Sequence, residues 1–509
     1  MATQVIGTSA LKVEPCLNQN HVNAARQLGP DQRRQMSVQA LARSEPIAQL
    51  AREHNVSRKF VYQNASKASD ALDEAFAPSD NDAEVLFTVP VTKAWLRQFV
   101  LASVLVGHNS MRGVLEILDA VFDYRGLSVG TVHNIVHEAV AKACVVNQAQ
   151  ALSGIDVGAH DEIFQAGKPV LVGMDVQSTY CYLLSLEEHR DETTWGVHLL
   201  DLADNGLCPD YTIADGGKGL RAGQRAAWPG VACHGDVFHP ERDLGKLASF
   251  LEHRAAGCIT AREKLERKMQ HCRKRGKGQT LSKRLALARQ AELRATHLAQ
   301  DIGTLADWMQ NDILSLAGPD RATRADLFDF VVKQLEHREP LCMHRIGPVR
   351  KMLQNQRDDL LAFAGILDER FAGVAAHMNV PLYLVHSICE LQGMEQRSPA
   401  HWQRKAQLQH KLKHRFHDTE RAIRQVLADT PRASSIVENL NSRLRNYFFL
   451  RRQIGNGYLD LLRFFLNHRC FLRSDRPERV GKSPAELLTG QAHPHWLQML
   501  GFEQFHRAN

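Results

Sequence analysis

The sequence predicts a multidomain α plus α/β protein, with helical units at the N-terminus and an α/β core interrupted by a large all-helical insertion. Three observations carry that reading. Apolar stripes at helical spacing, with cap and turn residues between them, recur from about residue 37 to residue 150. Between residues 160 and 240 short apolar runs alternate with helical segments, the pattern of an α/β sheet. From 241 to 430 the spacing is helical again. A length of 509 residues suits roughly three domains. With 44% hydrophobic and 23% charged residues, the composition excludes disorder as the main state. No run approaches the ~20 apolar residues of a membrane helix. The N-terminus, MATQVIGTSALKVEPCLNQN, lacks the basic head and apolar core of a secretory signal. Ten cysteines without regular spacing fit a reducing compartment, so a cytoplasmic location is expected.

Residues 1–36 show no clear periodicity and read as loose. Residues 37–77 read as a helix-turn-helix. Ile47, Leu50 and Ala51 form one apolar stripe, Asn55 suits a left-handed turn, and Ser57 is a good N-cap for a helix turning Phe60 and Val61 inward. That second helix would offer Arg58, Lys59, Tyr62 and Gln63 to a DNA major groove. An acidic linker follows around Pro78 to Glu84. Residues 85–150 read as a second helical unit, similar to a helix-turn-helix. Trp95 opens an apolar-faced helix, Ser110 another, and Gly126-Leu127-Ser128 makes a turn and cap that sets Ser128, Thr131 and His133 near a groove. An ordinary helical bundle fits the same residues.

Residues 160–240 read as the first part of the core. Pro169 to Asp175 is a short apolar strand ending in an acid, and Thr179 to Leu186 is a second strand. A helix over Thr193 to Asn205 precedes the strand Tyr211 to Gly217, which also presents an acid, Asp215, just past its apolar run. Gly219 to Ala227 reads as helix and Gly230 to His239 as one more strand. A carboxylate at the end of a buried strand is costly unless paired, hydrogen-bonded or bound to metal. Ligands collect at the carboxyl ends of strands in open α/β sheets. Asp175 and Asp215, 40 residues apart, are therefore the candidate acids.

About 190 helical residues follow, 241–430 being the insertion. Residues 431–490 return to the core with a last helix and a basic tail, and 491–509 form a C-terminal tail. In that helix Ile436, Val437, Leu440 and Leu444 define an apolar stripe. Glu438, Asn441, Ser442 and Arg445 share a different face, so a metal and a phosphate could be touched together. Charge is concentrated in two blocks. Residues 254–294 hold thirteen Lys/Arg against three acids, and residues 432–482 hold eleven against four. The net charge of +7 thus resolves into +10 and +7 blocks on a remainder of −10, the footprint of a polyanion binder. Gly481-Lys482-Ser483 lacks the upstream glycine of a Walker loop, so nucleotide use is not expected. Cys233, His234, His239, His253, Cys258, His271 and Cys272 crowd one region but lack paired zinc-ligand spacings.

Asp175, Asp215 and Glu438, on strand, strand and helix, resemble the catalytic triad of DDE-type transposases of bacterial insertion sequences. The GMDVQSTY and IADGGKGL segments are similar to the two catalytic strands, and SSIVENLNSRLRNYFFLRR to the helix bearing the last acid. The resemblance spans roughly residues 40–490, and Gly481 onward resembles the KSPAEL-type tail after integrase cores. It implies an RNase H-like, retroviral-integrase-like core. It further implies Mg²⁺-dependent cleavage at transposon ends and transfer of the freed 3′-hydroxyl into target DNA. Asp175, Asp215 and Glu438 would hold two Mg²⁺ ions, for which Mn²⁺ can substitute, with no nucleotide cofactor. Arg443, Arg445, Arg451 and Arg452 would hold phosphates, and Lys218 and His239 the scissile strand. The 254–294 block would grip backbone without sequence choice. The partners implied are double-stranded DNA and further copies of the chain, as a homodimer or larger synaptic assembly. The 223 positions between Asp215 and Glu438 imply an insertion, and leave Asp236, Glu241 and Asp243 as competing third acids. A catalytically inactive or domesticated DNA-binding regulator, and an RNase H-like nuclease without strand transfer, remain alternatives.

Overall fold

The structure is a computed structural model describing residues 25, 27–76, 89–274, 279–432, 435–451 and 454–502. The acidic linker and Arg452 lie outside the described residues, as do residues 1–24. The chain divides into two compact units, residues 1–90 and 91–509. Mostly helical, it carries one small mixed sheet.

The first unit has three described helices: α1 (Pro30–Leu41), α2 (Ile47–Glu53) and α3 (Arg58–Phe76). The first of these corrects the expectation of a loose segment to residue 36. Its inward positions are Met36, Ser37 and Ala40, so small and polar side chains hide the helical stripe. Met36, Leu50 and Val61 are fully buried together. Asn55 takes the left-handed conformation, φ 48°, and Ser57 Oγ accepts from Phe60 N at 3.1 Å, both as the sequence indicates. Arg58, Lys59, Tyr62 and Gln63 lie together on the exposed face of α3.

The second unit opens with α4 (Lys93–Leu105), α5 (Met111–Phe122) and α6 (Val129–Ala149). Ser110 and Ser128 cap the last two, accepting from Gly113 N and Thr131 N. The sheet follows: β1 (Val157–Gln165), β2 (Lys168–Asp175), β3 (Cys181–Leu186), then α7 (Glu192–Asp204), β4 (Tyr211–Ala214), α8 (Lys218–Ala227) and β5 (Ala232–Gly235). The spatial order is β3-β2-β1-β4-β5. β2 runs antiparallel to both its neighbours, β1 and β3, while β4 and β5 run parallel to β1. β1 is the strand that the sequence reading missed. Its run VGAHDEIFQ puts His160 and Glu162 on one face and Asp161 on the other, so polar residues interrupt both faces of a nearly buried strand. The strand expected over Gly230 to His239 ends at Gly235, where a turn leads into helix.

Between Phe238 and Ala428 the described elements are all helices: α9 (Phe238–Lys274), α10 (Gln279–Trp308), α11 (Arg321–Arg338), α12 (Met343–Leu360), α13 (Ala362–Met378), α14 (Leu382–Gly393), α15 (Pro399–Leu412) and α16 (Phe416–Ala428), joined by bends and short π and 3₁₀ turns. They share a core around Phe328, Leu353, Ile388 and Phe416. Arg324, 1% exposed, sits at its edge. Its guanidinium donates to the carbonyls of Pro319 and Ile313, both at 2.6 Å, and of Ser315 and Leu316. Ile313 closes one helix and the other three carbonyls lie in the bend that leads to Asp320, so the guanidinium holds a connection that has no helical hydrogen bonds of its own. Arg324→Ala strands these carbonyls and is expected to cost about 3–5 kcal/mol, read as a lower urea midpoint. An unchanged midpoint would show that water replaces the guanidinium freely.

The chain leaves and rejoins the sheet at one point. Val237 N donates to Arg432 O at 3.3 Å, and Arg432 pairs with Glu241 at 2.7 Å. A long helical segment can therefore be inserted with little disturbance, because closing a longer loop costs only slowly more entropy. α17 (Ser435–Leu450) then crosses the sheet, with Val437, Leu440 and Leu444 buried against it. α18 (Asn456–His468) lies beside β3, and α19 (Pro484–Thr489) and α20 (Trp496–Met499) end the described chain. Ser483 and Glu486 form a reciprocal cap on α19, which accounts for the Lys-Ser-Pro-Ala-Glu run. Among the described residues no helix is long and apolar enough to cross a membrane.

Candidate metal centre

The site lies where β1 and β4 run side by side. Their register pairs His160 with Ala214, which sets Asp161 level with Asp215, one residue on. Strand alternation turns Asp161 to the face that carries Val157, Ala159 and Ile163, the face on which α17 packs. Ligand atoms of Asp161, Asp215 and His239 all lie within 4.8 Å of one another. His239, at the start of α9, has its Nε2 4.0 Å from both Asp161 and Asp236. Asp236 is buried, its Oδ1 accepting from Phe238 N.

The polar face of α17 turns toward this cluster. Asn441, 1% exposed, donates from Nδ2 to Asp161 at 2.9 Å, and its Oδ1 has no partner. Three residues earlier, Glu438 is held between Arg242 and Arg445, each 3.7 Å away. Burial, reinforced by the charges of Glu438, Asp215 and Asp236, pushes the Asp161 carboxyl up to about 7. Asp215 is oriented by Gly217 N, which donates to its carboxylate at 2.8 Å, and its own carbonyl accepts from Arg221. Converging carboxylates with an imidazole and an amide oxygen form a donor set suited to a hard divalent cation such as Mg²⁺ or Mn²⁺.

Asp175 is not part of this cluster. It pairs with Gly158 rather than with Asp161, whose partner on β2 is Val172. That places it three residues, roughly 10 Å, along the sheet and on the opposite face. The reason is direction: β2 is antiparallel, so its carboxyl end lies at the amino end of β1 and β4. The Asp175 carboxylate instead accepts from the backbone N–H and hydroxyl of Ser178 and from Gln177 N, closing the turn into β3. In the sequence the two strand-final acids look equivalent, because β1 is not apparent there. Asp161 carried one visible signal, a charged residue within a run bounded by Val157 and Ile163.

The other predicted residues separate clearly. Glu241 and Asp243 are engaged by Arg432 and by Arg242 and Lys246. Of the histidines and cysteines between Cys233 and Cys272, His239 joins the carboxylates among the described residues. Lys218 is exposed at the start of α8, just past Asp215. Arg445 faces Glu438, whereas Arg443 is largely buried on another side of α17. Arg451 stacks 4.0 Å over the Tyr458 ring. In the 254–294 block Arg262 pairs with Glu266 and Glu292, and Arg289 with Glu266, so some of its cations pin α9 to α10. No protein-family model matches the chain, and no curated protein matches it.

Proposed function

We propose that the chain is a DDE-type DNA transposase with an RNase H-like core, its carboxylates being Asp161, Asp215 and Glu438. The observation that carries the reading is the register of β1 and β4, which sets two acids side by side under the helix that bears the third. Two strand acids and one helix acid are what the resemblance requires, and Asp161 takes the part first assigned to Asp175. The mixed sheet and the helical insertion between the second and third acids suit the same reading.

Asp161, Asp215 and Glu438 would hold divalent cation, Mg²⁺ or Mn²⁺, with His239 as an added donor. When bound, such an ion supplies Lewis acidity to the scissile phosphate and makes water, or a DNA 3′-hydroxyl, a better nucleophile. The chain's own groups position the rest. Asn441 fixes the rotamer of Asp161, and Gly217 N fixes that of Asp215. Arg242 and Arg445, bound to Glu438, are placed to pass to the phosphate when the carboxylate turns inward. The substrate is double-stranded DNA, first the element end and then the target.

The test is incubation of the full chain with duplexes from either side of its coding region, scoring Mg²⁺-dependent 3′-ends and joined products. Cleavage without joining would favour a nuclease, and binding without cleavage a regulator. In the N-terminal unit, Arg58→Gln with Lys59→Gln is expected to weaken DNA binding and reduce the log K against log salt slope by about 2. A slope unchanged by both substitutions would remove α3 from the interface.

A further inference from the structure

On the other side of α17, a cavity of about 740 Å³ opens between the β2–β3 turn, α17 and the segment 471–479. Thr179, Arg443, Arg473, Asp475, Arg476 and Arg479 line it, four guanidinium groups against one carboxylate. Arg443 follows Glu438 by five residues, about 140° around the helix, so the cavity is distinct from the metal centre.

Arg443 Nε is buried without a hydrogen-bond partner, and among the described residues no carboxylate pairs with this side chain. Burial and the nearby charge of Arg469 push its pKa down. Arg479 is depressed likewise, by burial and then Arg476, with Glu478 and Asp175 offsetting only part of it. Two of the arginines are tethered through backbone carbonyls, Arg479 to Gln177 and Arg476 to Ala428, which orients them without neutralising them. Arg443 and Arg479 are the partly desolvated pair, and such cations are unfavourable without a counter-anion, whereas Arg473 and Arg476 reach the cavity from its exposed rim. Thr179 gives an independent sign. It is 8% exposed, its Oγ1 has no partner, and its φ of 64° holds a β-branched residue in the left-handed region. A hydroxyl and several guanidinium forks together offer donors to an oxyanion rich in acceptors.

We infer that this cavity binds the phosphodiester backbone of a DNA strand running along the side of α17 turned away from the carboxylates. The inference rests on the DNA-binding part of the proposed function and not on its chemistry. A volume within the ~300–1,000 Å³ range of ligand sites admits a nucleotide-sized length of backbone.

The experiment uses the full chain and two probes. Thermal unfolding is followed with inorganic phosphate replacing chloride at fixed ionic strength, and affinity for a short duplex is measured across salt concentrations. The wild-type midpoint is expected to rise in phosphate. Arg443→Met is expected to leave the chloride midpoint unchanged or higher, to lose the phosphate rise, and to lower the salt slope by about 1. A merely structural arginine would instead lower the chloride midpoint. Arg473→Gln, at an exposed position, gives the same readouts if the first variant does not fold. A phosphate rise retained in both variants overturns the site. A rise lost with an unchanged DNA slope overturns the backbone assignment in favour of a free phosphate or nucleotide. Neither readout involves cleavage, so a chain that never cuts DNA would defeat the proposed reaction and leave this result standing.

Discussion

Asp161→Asn is expected to lower Mg²⁺-dependent cleavage by at least about 10³-fold while DNA binding persists. A loss of that size is about 4 kcal/mol of transition-state stabilisation, within the several kcal/mol that a divalent ion contributes. Asn at 161 keeps the size of the side chain and an oxygen for Asn441 Nδ2, so the change isolates charge. Asp215→Asn and Glu438→Gln should behave alike. Asp175→Asn should retain most cleavage, because that carboxylate closes a turn through Ser178 and Gln177. It should cost about 1 kcal/mol of stability, so rates are compared well below its unfolding midpoint. The measurement is the nicking rate on an end duplex beside a gel-shift titration. Cleavage lost in Asp175→Asn and kept in Asp161→Asn would return the first acid to its original place.

The same carboxyl makes stability without metal depend on pH. Asp161 titrates at about 7 in the folded chain, against an ordinary value of 3.8. Between those values the folded chain holds a proton that the unfolded chain has released. The contribution of this carboxyl to stability therefore falls as pH rises from about 4 to about 7 and levels off above that. Three pKa units bound the loss at about 4 kcal/mol. His160, His234 and His468, buried and held neutral with pKa values of about 3 to 4, act in the opposite sense over the same range, so the Asp161 contribution is read as a difference: in EDTA the midpoint of Asp161→Asn should gain on wild type between pH 4 and pH 7 and exceed it at pH 8. Mg²⁺ should restore the wild-type midpoint at pH 8 and release protons on binding near pH 6. Parallel wild-type and Asp161→Asn curves would mean that the carboxyl is not held protonated.

Helices were legible wherever an apolar stripe met a cap: Ser57, Ser110 and Ser128 each accept the N–H that the sequence suggests. So were β2, β3 and β4, whose interiors are mostly apolar runs broken only by Ser185 and Thr212. The central strand was not. Asp161 and Glu162 occupy it because neighbouring segments answer each: Asn441 of α17 donates to the first, and Trp195 Nε1 of α7 and Arg190, in the loop before α7, to the second. Those partners are 280, 33 and 28 residues away, so no local pattern announces them. Strand direction was equally hidden. Asp215 was found by a rule for parallel strands that holds for β4, and Asp175 by the same rule where it fails. The polar face of α17 was readable from spacing alone, but its target was not.

α9 begins one residue before His239 and continues unbroken for 37 residues. At 1.5 Å per residue it is a rod about 55 Å long with its base in the acid cluster. Tilting it by one degree about that base carries the far end about 1 Å. A load applied there would act with that leverage on His239 and on Arg242, which lies 3.7 Å from Glu438. The length of the helix thus lets an event far from the carboxylates set how they are aligned.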